Sequence, residues 1–125
     1  ETLSFGMSER EKLGFVYARL CQMLSLQGLN VVCASISMFN SVRNWNREKL
    51  PQYTEIYLKT SIQVLIARDQ KGLYGQALSG TVKNVIGMDI PFEEPIQPDI
   101  VIHNDGLLDP DKVAEKIILR LNNLR

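Results

Sequence analysis

Three cationic side chains lie in a long segment, residues 68–98, that lacks a regular apolar period and is rich in glycine and proline. Arg68, Lys71 and Lys83 are spaced so that a closing loop could bring several of them onto one polyphosphate. Positive charge accelerates phosphoryl transfer by neutralising the equatorial oxygens of the transferred group. Loops of this length in a compact domain are usually functional lids or disordered segments. The spacing alone fits a phosphate lid and a solvated surface loop equally well.

The other reactive residue types form weaker patterns. Cys21 and Cys33 lie in apolar stretches without a CxxC or Cys/His spacing, which argues against zinc and against a disulfide framework. His103 follows an apolar run and has no serine, cysteine or metal-ligand partner at a recognisable spacing. The residue pattern therefore predicts no metal-ligand set in this chain and gives His103 no catalytic role.

Composition limits the class of protein. The 125 residues are 45% hydrophobic and 22% charged, which predicts one domain over residues 1–125 with a single core. Fourteen basic residues balance fourteen acidic ones, so no long-range attraction to nucleic acid or to anionic lipid is expected. The sequence has neither an apolar run long enough to cross a bilayer nor the pattern of a signal peptide. We expect a cytoplasmic protein.

The apolar pattern predicts alternating helices and strands. A helix begins at Ser8, where Ser8 and Glu11 form a capping box, and stops near Gly28. The nearly continuous apolar run of residues 29–36 predicts a strand buried on both faces. A helix follows over residues 40–50, before Pro51.

The second half of the chain continues this alternation. It predicts a strand over residues 53–59, a helix from Ser61 to about Asp69, a strand over 98–103, and a helix that is capped at Asp109 and runs through Leu124. This order is typical of an α/β fold, a three-layer parallel sheet with helices on both faces. Ligands in such folds bind beyond the carboxyl ends of strands.

Residues 68–95 resemble the lid of adenylyl-sulfate kinases. The motif R-D-x-K-G-L-Y reads here Arg68 to Tyr74, A-x-x-G-x-I-K-x-F-T-G-I-D corresponds to residues 77–89, and P-Y-E-x-P corresponds to Pro91 to Pro95. The resemblance extends from about Arg10 to Leu121. Many matches occur in one register, so the chain resembles this family specifically.

The resemblance implies a P-loop, nucleoside-monophosphate-kinase-like fold in which ATP, with Mg²⁺, phosphorylates the ribose 3′-hydroxyl of a small activated nucleotide. The family is often homodimeric. Its phosphate loop, G-x-x-G-x-G-K-[ST], and its D-G-D segment with the general base occur nowhere in the 125 residues. We therefore expect the chain to be the C-terminal part of a kinase domain, with its lid at about 68–98, and to be inactive without the phosphate loop.

The resemblance also implies roles for individual residues. Lys71 corresponds to the lid lysine near the acceptor nucleotide, with Lys83 on the same lid. Arg68 approaches ATP, so Lys71 and Arg68 are the catalytic candidates. The remaining implied contacts are Ile36 and Ser37 at a strand end beside the acceptor, Asn84 and Val85 against its base, Phe15 on the first helix, and Leu107 at the ATP base.

Three departures from the family pattern bear on the acceptor. Val85 replaces a phenylalanine that stacks on adenine. The segment from Lys12 to Phe15 replaces E-N-x-R, and the segment from Met38 to Asn40 replaces P-[YF]-R. Some relatives phosphorylate cytidine diphosphoramidate for bacterial capsule, and a smaller base with an uncharged phosphoramidate end suits these losses.

Several alternatives stay open at this point. The protein would be an authentic adenylyl-sulfate kinase of sulfate assimilation if Phe5 or Phe15 supplies the stacking face. It would be a non-catalytic nucleotide-binding module if no phosphate loop accompanies it. A kinase for a sugar acid or shikimate is disfavoured by the lid motif from Lys71 to Tyr74.

Overall fold

The computed structural model describes residues 6–69, 71–106 and 108–123. Its residues form two compact units: unit 1 contains residues 6–53 and Ile90–Ile96, and unit 2 contains Thr54–Asp89 and residues 97–123. The elements in chain order are α1 (Met7–Ser25), α2 (Asn40–Lys49), β1 (Ile56–Lys59), α3 (Ile62–Arg68), α4 (Leu73–Leu78), β2 (Ile100–His103) and α5 (Pro110–Asn123). None of the helices in the described ranges is both long and apolar enough to span a membrane.

In unit 1, α1 and α2 pack at close range. A Cβ atom on Gly14 would lie 3.1 Å from Cγ2 of Val42, so only a glycine lets the helices approach this closely without a shift. Beside this contact the rings of Phe15 and Trp45 meet edge to face, with centroids 6.4 Å apart. This geometry is favourable for aromatic pairs. Trp45 therefore serves the packing of α2 on α1.

The start of α1 differs from the predicted capping box. The N-cap is Gly6, which has no side chain to cap with, and Ser8 lies inside the first turn. A serine in that position cannot reach back to the unpaired N–H groups as an N-cap does. The carboxylate of Glu11 instead accepts the hydroxyl of Ser41 on α2, at 2.5 Å. The predicted stop is confirmed, because α1 ends at Ser25 and Gly28 follows with a φ of +81°.

The predicted buried strand over residues 29–36 is wrong for this structure. Residues 29–39 pair with no strand among the described residues. Leu29 is 55% exposed, Val32 95% and Ile36 75%. A continuous apolar run predicts that the segment is buried, but a strand inside a sheet also needs neighbouring strands on both edges. Those neighbours are not supplied by the described residues.

In unit 2, β1 and β2 are parallel, as predicted, with Ile56 opposite Ile100 and Lys59 opposite His103. Both strands are shorter than predicted. Ile100 is only 2% exposed, so β2 lies at the centre of the core of this unit. Beyond the strand ends, the N–H of Asn104 donates to the carbonyl of Lys59 at 2.8 Å.

The predicted helix starts in unit 2 are confirmed by their capping bonds. The Ser61 hydroxyl accepts the N–H of Val64 at 3.4 Å, and the Asp109 carboxylate accepts the N–H of Lys112 at 2.9 Å. The predicted end of α5 at Leu124 lies outside the described residues. The arrangement agrees with the predicted α/β fold with a parallel sheet.

Candidate functional site

One carboxylate, that of Asp69, holds the first turn of α4. Asp69, which is half-buried, accepts the N–H of Tyr74 at 2.9 Å and the N–H of Gly75 at 2.8 Å. These are first-turn donors of α4, which have no partner inside the helix. Gly72 enters α4 with a φ of +63°, a conformation that favours glycine. Asp69 and Gly72 thus bracket Lys71 and fix the turn that carries it.

The two lid lysines are exposed on the surface. Lys71 forms no ion pair with a described residue, so its ammonium is available to a ligand. Lys83 lies close enough to Asp89 for its charge to act on that carboxylate. Arg68, Lys71 and Lys83 share no carboxylate within the described ranges.

The pair Asn84 and Val85 is held by the carboxylate of Asp89. The N–H groups of both residues donate to it, each at 2.6 Å. Asn84 has a φ of +66° and Gly87 a φ of +82°, so the turn uses two left-handed residues. Asn84 is exposed, whereas Val85 is only 4% exposed and has little open surface. The contact of Val85 with an acceptor base stays a prediction.

The hydrogen bond from the N–H of Asn84, reinforced by that of Val85 and by the charge of Lys83, holds the pKa of Asp89 below its ordinary value. A lowered pKa means that the charged form stabilises the folded state fully above the ordinary pKa, and that this contribution is lost as the pH falls through the folded-state pKa. We expect the free energy of unfolding of the wild type to exceed that of Asp89→Asn by a constant amount above about pH 5, and this difference to shrink below about pH 4. Urea unfolding at several pH values checks this; a difference that persists unchanged to pH 2 would contradict it.

Arg68 lies against the loop that follows β2. Its Nη2 donates to the carbonyl of Asn104 at 3.2 Å. Gly106 has a φ of +92°, and a Cβ atom there would lie 2.9 Å from the same Nη2. The structure thus brings Arg68 to the loop that precedes Leu107, although the two are far apart in sequence. Leu107 itself lies outside the described residues, so its contact with the ATP base stays a prediction.

The acceptor candidates of unit 1 lie where residues 29–39 lead into α2. The side chains of Ile36 and Ser37 are exposed, and the next residue, Met38, is only 3% exposed. The Ser37 carbonyl accepts Nη1 of Arg43. The ring of Phe15 contacts the ring of Trp45 edge to face. The side chains of Ile36 and Ser37 are therefore accessible to a ligand, and the Ser37 carbonyl is held by Arg43.

Four residues that organise these segments were assigned no role from the sequence: Asp69, Asp89, Arg43 and Glu93. All four act through hydrogen bonds with backbone groups, which leave no periodic signature. The aspartates do occur within the lid motif, beside Arg68 and after Gly87. Each aspartate lies within three residues of a glycine, Gly72 or Gly87, and this spacing is the signal that the sequence offers, because Asp side chains commonly satisfy turn N–H groups.

The described residues include no group of three or more histidine, cysteine, aspartate or glutamate side chains that could hold a metal ion. In unit 2 the lid offers the cations Arg68, Lys71 and Lys83, all of which are exposed. This chemistry suits phosphate oxygens and a nucleotide.

Comparisons with known proteins agree with this chemistry. The chain is 41% identical over 104 residues to the cytidine diphosphoramidate kinase of Campylobacter jejuni subsp. jejuni, covering 83% of this chain and 61% of that protein. It is 31% identical over 126 residues to the adenylyl-sulfate kinase of Gloeothece citriformis, covering 98% of this chain and 69% of that protein. The chain thus spans less than two thirds of the length of the Campylobacter relative.

A solved structure, that of the Mycobacterium tuberculosis APS kinase in complex with AMPPNP and APS, matches this fold with a TM-score of 0.84. The two are 26% identical, and the match covers 96% of this chain and 70% of that one. The likeness supports the P-loop NTPase fold. The sequence model of the adenylylsulphate kinase family matches residues 1–103. With most of its length matched in this way, the chain belongs to the adenylylsulphate kinase family.

Proposed function

We propose that the complete protein is an ATP-dependent kinase that phosphorylates the ribose 3′-hydroxyl of cytidine diphosphoramidate. In this reaction the hydroxyl oxygen forms a bond to the γ-phosphorus of ATP, the bond from that phosphorus to the bridging oxygen breaks, and ADP leaves. The hydroxyl proton passes to a general base that is not among the 125 residues.

The observation that carries the kinase assignment is the Lys71 turn. An exposed ammonium without an ion-pair partner among the described residues is held on a turn that Asp69 fixes. A preorganised cation contributes most where charge develops, since no reorganisation is needed during the reaction. Membership of a family of ATP-dependent kinases supports the same reading. Arg68, beside Asn104 and Gly106, is assigned to the ATP side.

The assignment of the acceptor rests on residues that are poorly suited to adenylyl sulfate. Val85 can pack but cannot stack, and stacking on an aromatic ring is worth roughly 1 to 3 kcal/mol per base. Leu13 and Phe15 stand where the family pattern has Asn and Arg. The side-chain oxygen of Asn40 is engaged by Arg43, at 2.7 Å from Nη2. An acceptor with a smaller, pyrimidine base and an uncharged phosphoramidate end depends less on the aromatic ring and on the polar side chains that this chain lacks.

The similarity to the Campylobacter cytidine diphosphoramidate kinase supports this choice. The similarity to adenylyl-sulfate kinases keeps 3′-phosphorylation of adenylyl sulfate as the second candidate. Because ATP is the donor, the reaction is assigned to the cytoplasm. The homodimer that the resemblance implies stays a prediction, which sedimentation of the complete protein would check.

The proposal places the phosphate loop outside the 125 residues. ATP enters as its Mg²⁺ complex, and the described residues include no group of three or more histidine, cysteine, aspartate or glutamate side chains that could hold the ion by themselves. We assign the ion to the phosphates of the nucleotide. The 125 residues alone are expected to transfer no phosphate.

The test is phosphoryl transfer by the complete protein with Mg-ATP and each acceptor, with the product examined by ³¹P NMR. A new phosphomonoester on the ribose 3′-oxygen is the expected product. Tight nucleotide binding without any transferred phosphate would overturn the proposal and favour a non-catalytic binding module.

A further inference from the structure

A guanidinium group is buried where residues 37–40 enter α2. Arg43 is only 3% exposed. Its Nε and Nη2 donate to the side-chain oxygen of Asn40, at 3.2 and 2.7 Å, Nη1 donates to the carbonyl of Ser37, and Nη2 also reaches the carbonyl of Glu93 at 2.5 Å. A buried charge is tolerated only when it is hydrogen bonded, so these bonds fix the position of Arg43.

Glu93 makes further hydrogen bonds to the residues at the start of α2. Its N–H donates to the carbonyl of Met38 at 3.0 Å, and its carboxylate accepts the N–H of Asn40, the first residue of α2. A carboxylate at a helix N-terminus is favourable because it satisfies a free N–H and meets the positive end of the helix dipole. Glu93 is thereby hydrogen bonded to Met38 and Asn40, in addition to Arg43.

The hydrogen bonds of Arg43 and Glu93 fix the orientation of the backbone at Ser37. The carbonyl of Ser37 is directed to Arg43, and a peptide unit is planar, so the unit between Ser37 and Met38 is fixed in orientation. Met38 is only 3% exposed, whereas the side chains of Ile36 and Ser37 are exposed. The carbonyl of Ser37 therefore points to the buried Arg43, while the side chains of Ile36 and Ser37 are exposed.

We infer that Arg43 is a positioning residue for the acceptor nucleotide: it holds the Ser37 carbonyl, and with it the exposed face of Ile36 and Ser37, in the orientation that binds the acceptor. Glu93 supports this arrangement through its hydrogen bonds to Asn40 and Met38. The inference rests on the proposed function, because it takes Ile36 and Ser37 as acceptor contacts.

The test compares Arg43→Met and Arg43→Lys in the complete protein, with KM measured for the acceptor and for ATP separately. Methionine keeps much of the side-chain volume and none of the donors. We expect the acceptor KM of Arg43→Met to rise by about 10- to 100-fold, because two or more charge-assisted bonds that hold the contact are lost. Lysine keeps the charge and should restore part of this loss. The KM for ATP is expected to stay within about twofold in both variants, as for changes away from the ATP contacts.

A matched control is Arg47→Met, which removes an exposed arginine from the same helix. Its acceptor KM should equal that of the wild type. If Arg43→Met does not fold, Asn40→Ala removes one partner of the guanidinium and leaves the bonds to Ser37 and Glu93. We expect a rise of about threefold in its acceptor KM, with the KM for ATP unchanged.

The outcomes separate this inference from the proposed function. A wild type that transfers no phosphate defeats the proposed function, and the inference with it. An active wild type whose Arg43 and Asn40 variants fold and keep the wild-type acceptor KM defeats the inference alone. Lower stability with an unchanged acceptor KM likewise overturns it, because Arg43 would then have a structural role only.

Discussion

Replacing Lys71 by alanine in the complete protein is expected to lower kcat for phosphoryl transfer by about 100- to 1000-fold, the range found when a single preorganised charge-stabilising donor is removed. The reason is that Lys71 is exposed, has no ion-pair partner among the described residues and lies on a turn fixed by Asp69 and Gly72. Its charge therefore reaches a transferring phosphate without first leaving another group.

Lys71→Arg should recover part of the loss, because it keeps the charge but changes its geometry. Lys116→Ala, which removes an exposed lysine from α5, is the matched control and should have the wild-type kcat. Steady-state kinetics with saturating Mg-ATP would decide. A Lys71→Ala variant as active as the Lys116→Ala control would show that the lid lysine takes no part in transfer.

The second large effect is expected for Asp69→Ala. Loss of the carboxylate leaves the N–H groups of Tyr74 and Gly75 without their acceptor, so the turn that carries Lys71 loosens. Each hydrogen bond to a charged group contributes about 1.5 to 3 kcal/mol, and solvent reduces this at a half-buried site. We expect kcat/KM to fall by roughly 10- to 50-fold, which corresponds to about 1.4 to 2.3 kcal/mol.

Asp109→Ala is the matched control, because Asp109 accepts a first-turn N–H of α5 in the same way, at 2.9 Å from Lys112 N. Both variants should lower the free energy of unfolding, but only Asp69→Ala should lower kcat/KM. Chemical unfolding and kinetics on the same preparations separate the two effects. Equal activity of the two variants would mean that Asp69 stabilises α4 without positioning Lys71.

Local signals explain which parts of the fold could be predicted. The helix α1 follows from apolar periodicity, and α2 follows from a polar, charged run that ends before Pro51. The helices α3 and α5 begin with a side chain that caps the first turn. The parallel pairing of β1 and β2 follows from the alternation of strands and helices. Each of these features is encoded by residues that are close together in the chain.

The failures have a different physical origin. The apolar run of residues 29–36 predicted a buried strand, yet Val32 is 95% exposed, because an apolar pattern does not say which neighbours cover it. The short helix α4 has no sequence signal, because Gly75 interrupts its period and its first turn is capped from outside, by Asp69. The predicted cap at Ser8 is wrong, because the helix begins before it, at Met7.

From the sequence, residues of the candidate site can be proposed only where the chain matches the lid motif. The positions of Lys71, Asn84 and Val85 came from the lid pattern, whereas the groups that hold them, Asp69 and Asp89, had no assigned role. Arg43 and Glu93 are 50 residues apart and meet through a backbone carbonyl. Such a contact depends on the tertiary fold, and no spacing in the sequence reports it.

The central claim is that the acceptor is a cytidine nucleotide. The most direct test measures kcat/KM of the complete protein with Mg-ATP for cytidine diphosphoramidate and for adenylyl sulfate, and takes the ratio of the two values. Loss of an aromatic stacking partner is worth roughly 1 to 3 kcal/mol, so the ratio should favour the cytidine nucleotide by at least about fivefold. A ratio that favours adenylyl sulfate would contradict the account and make the protein an ordinary sulfate-activating kinase.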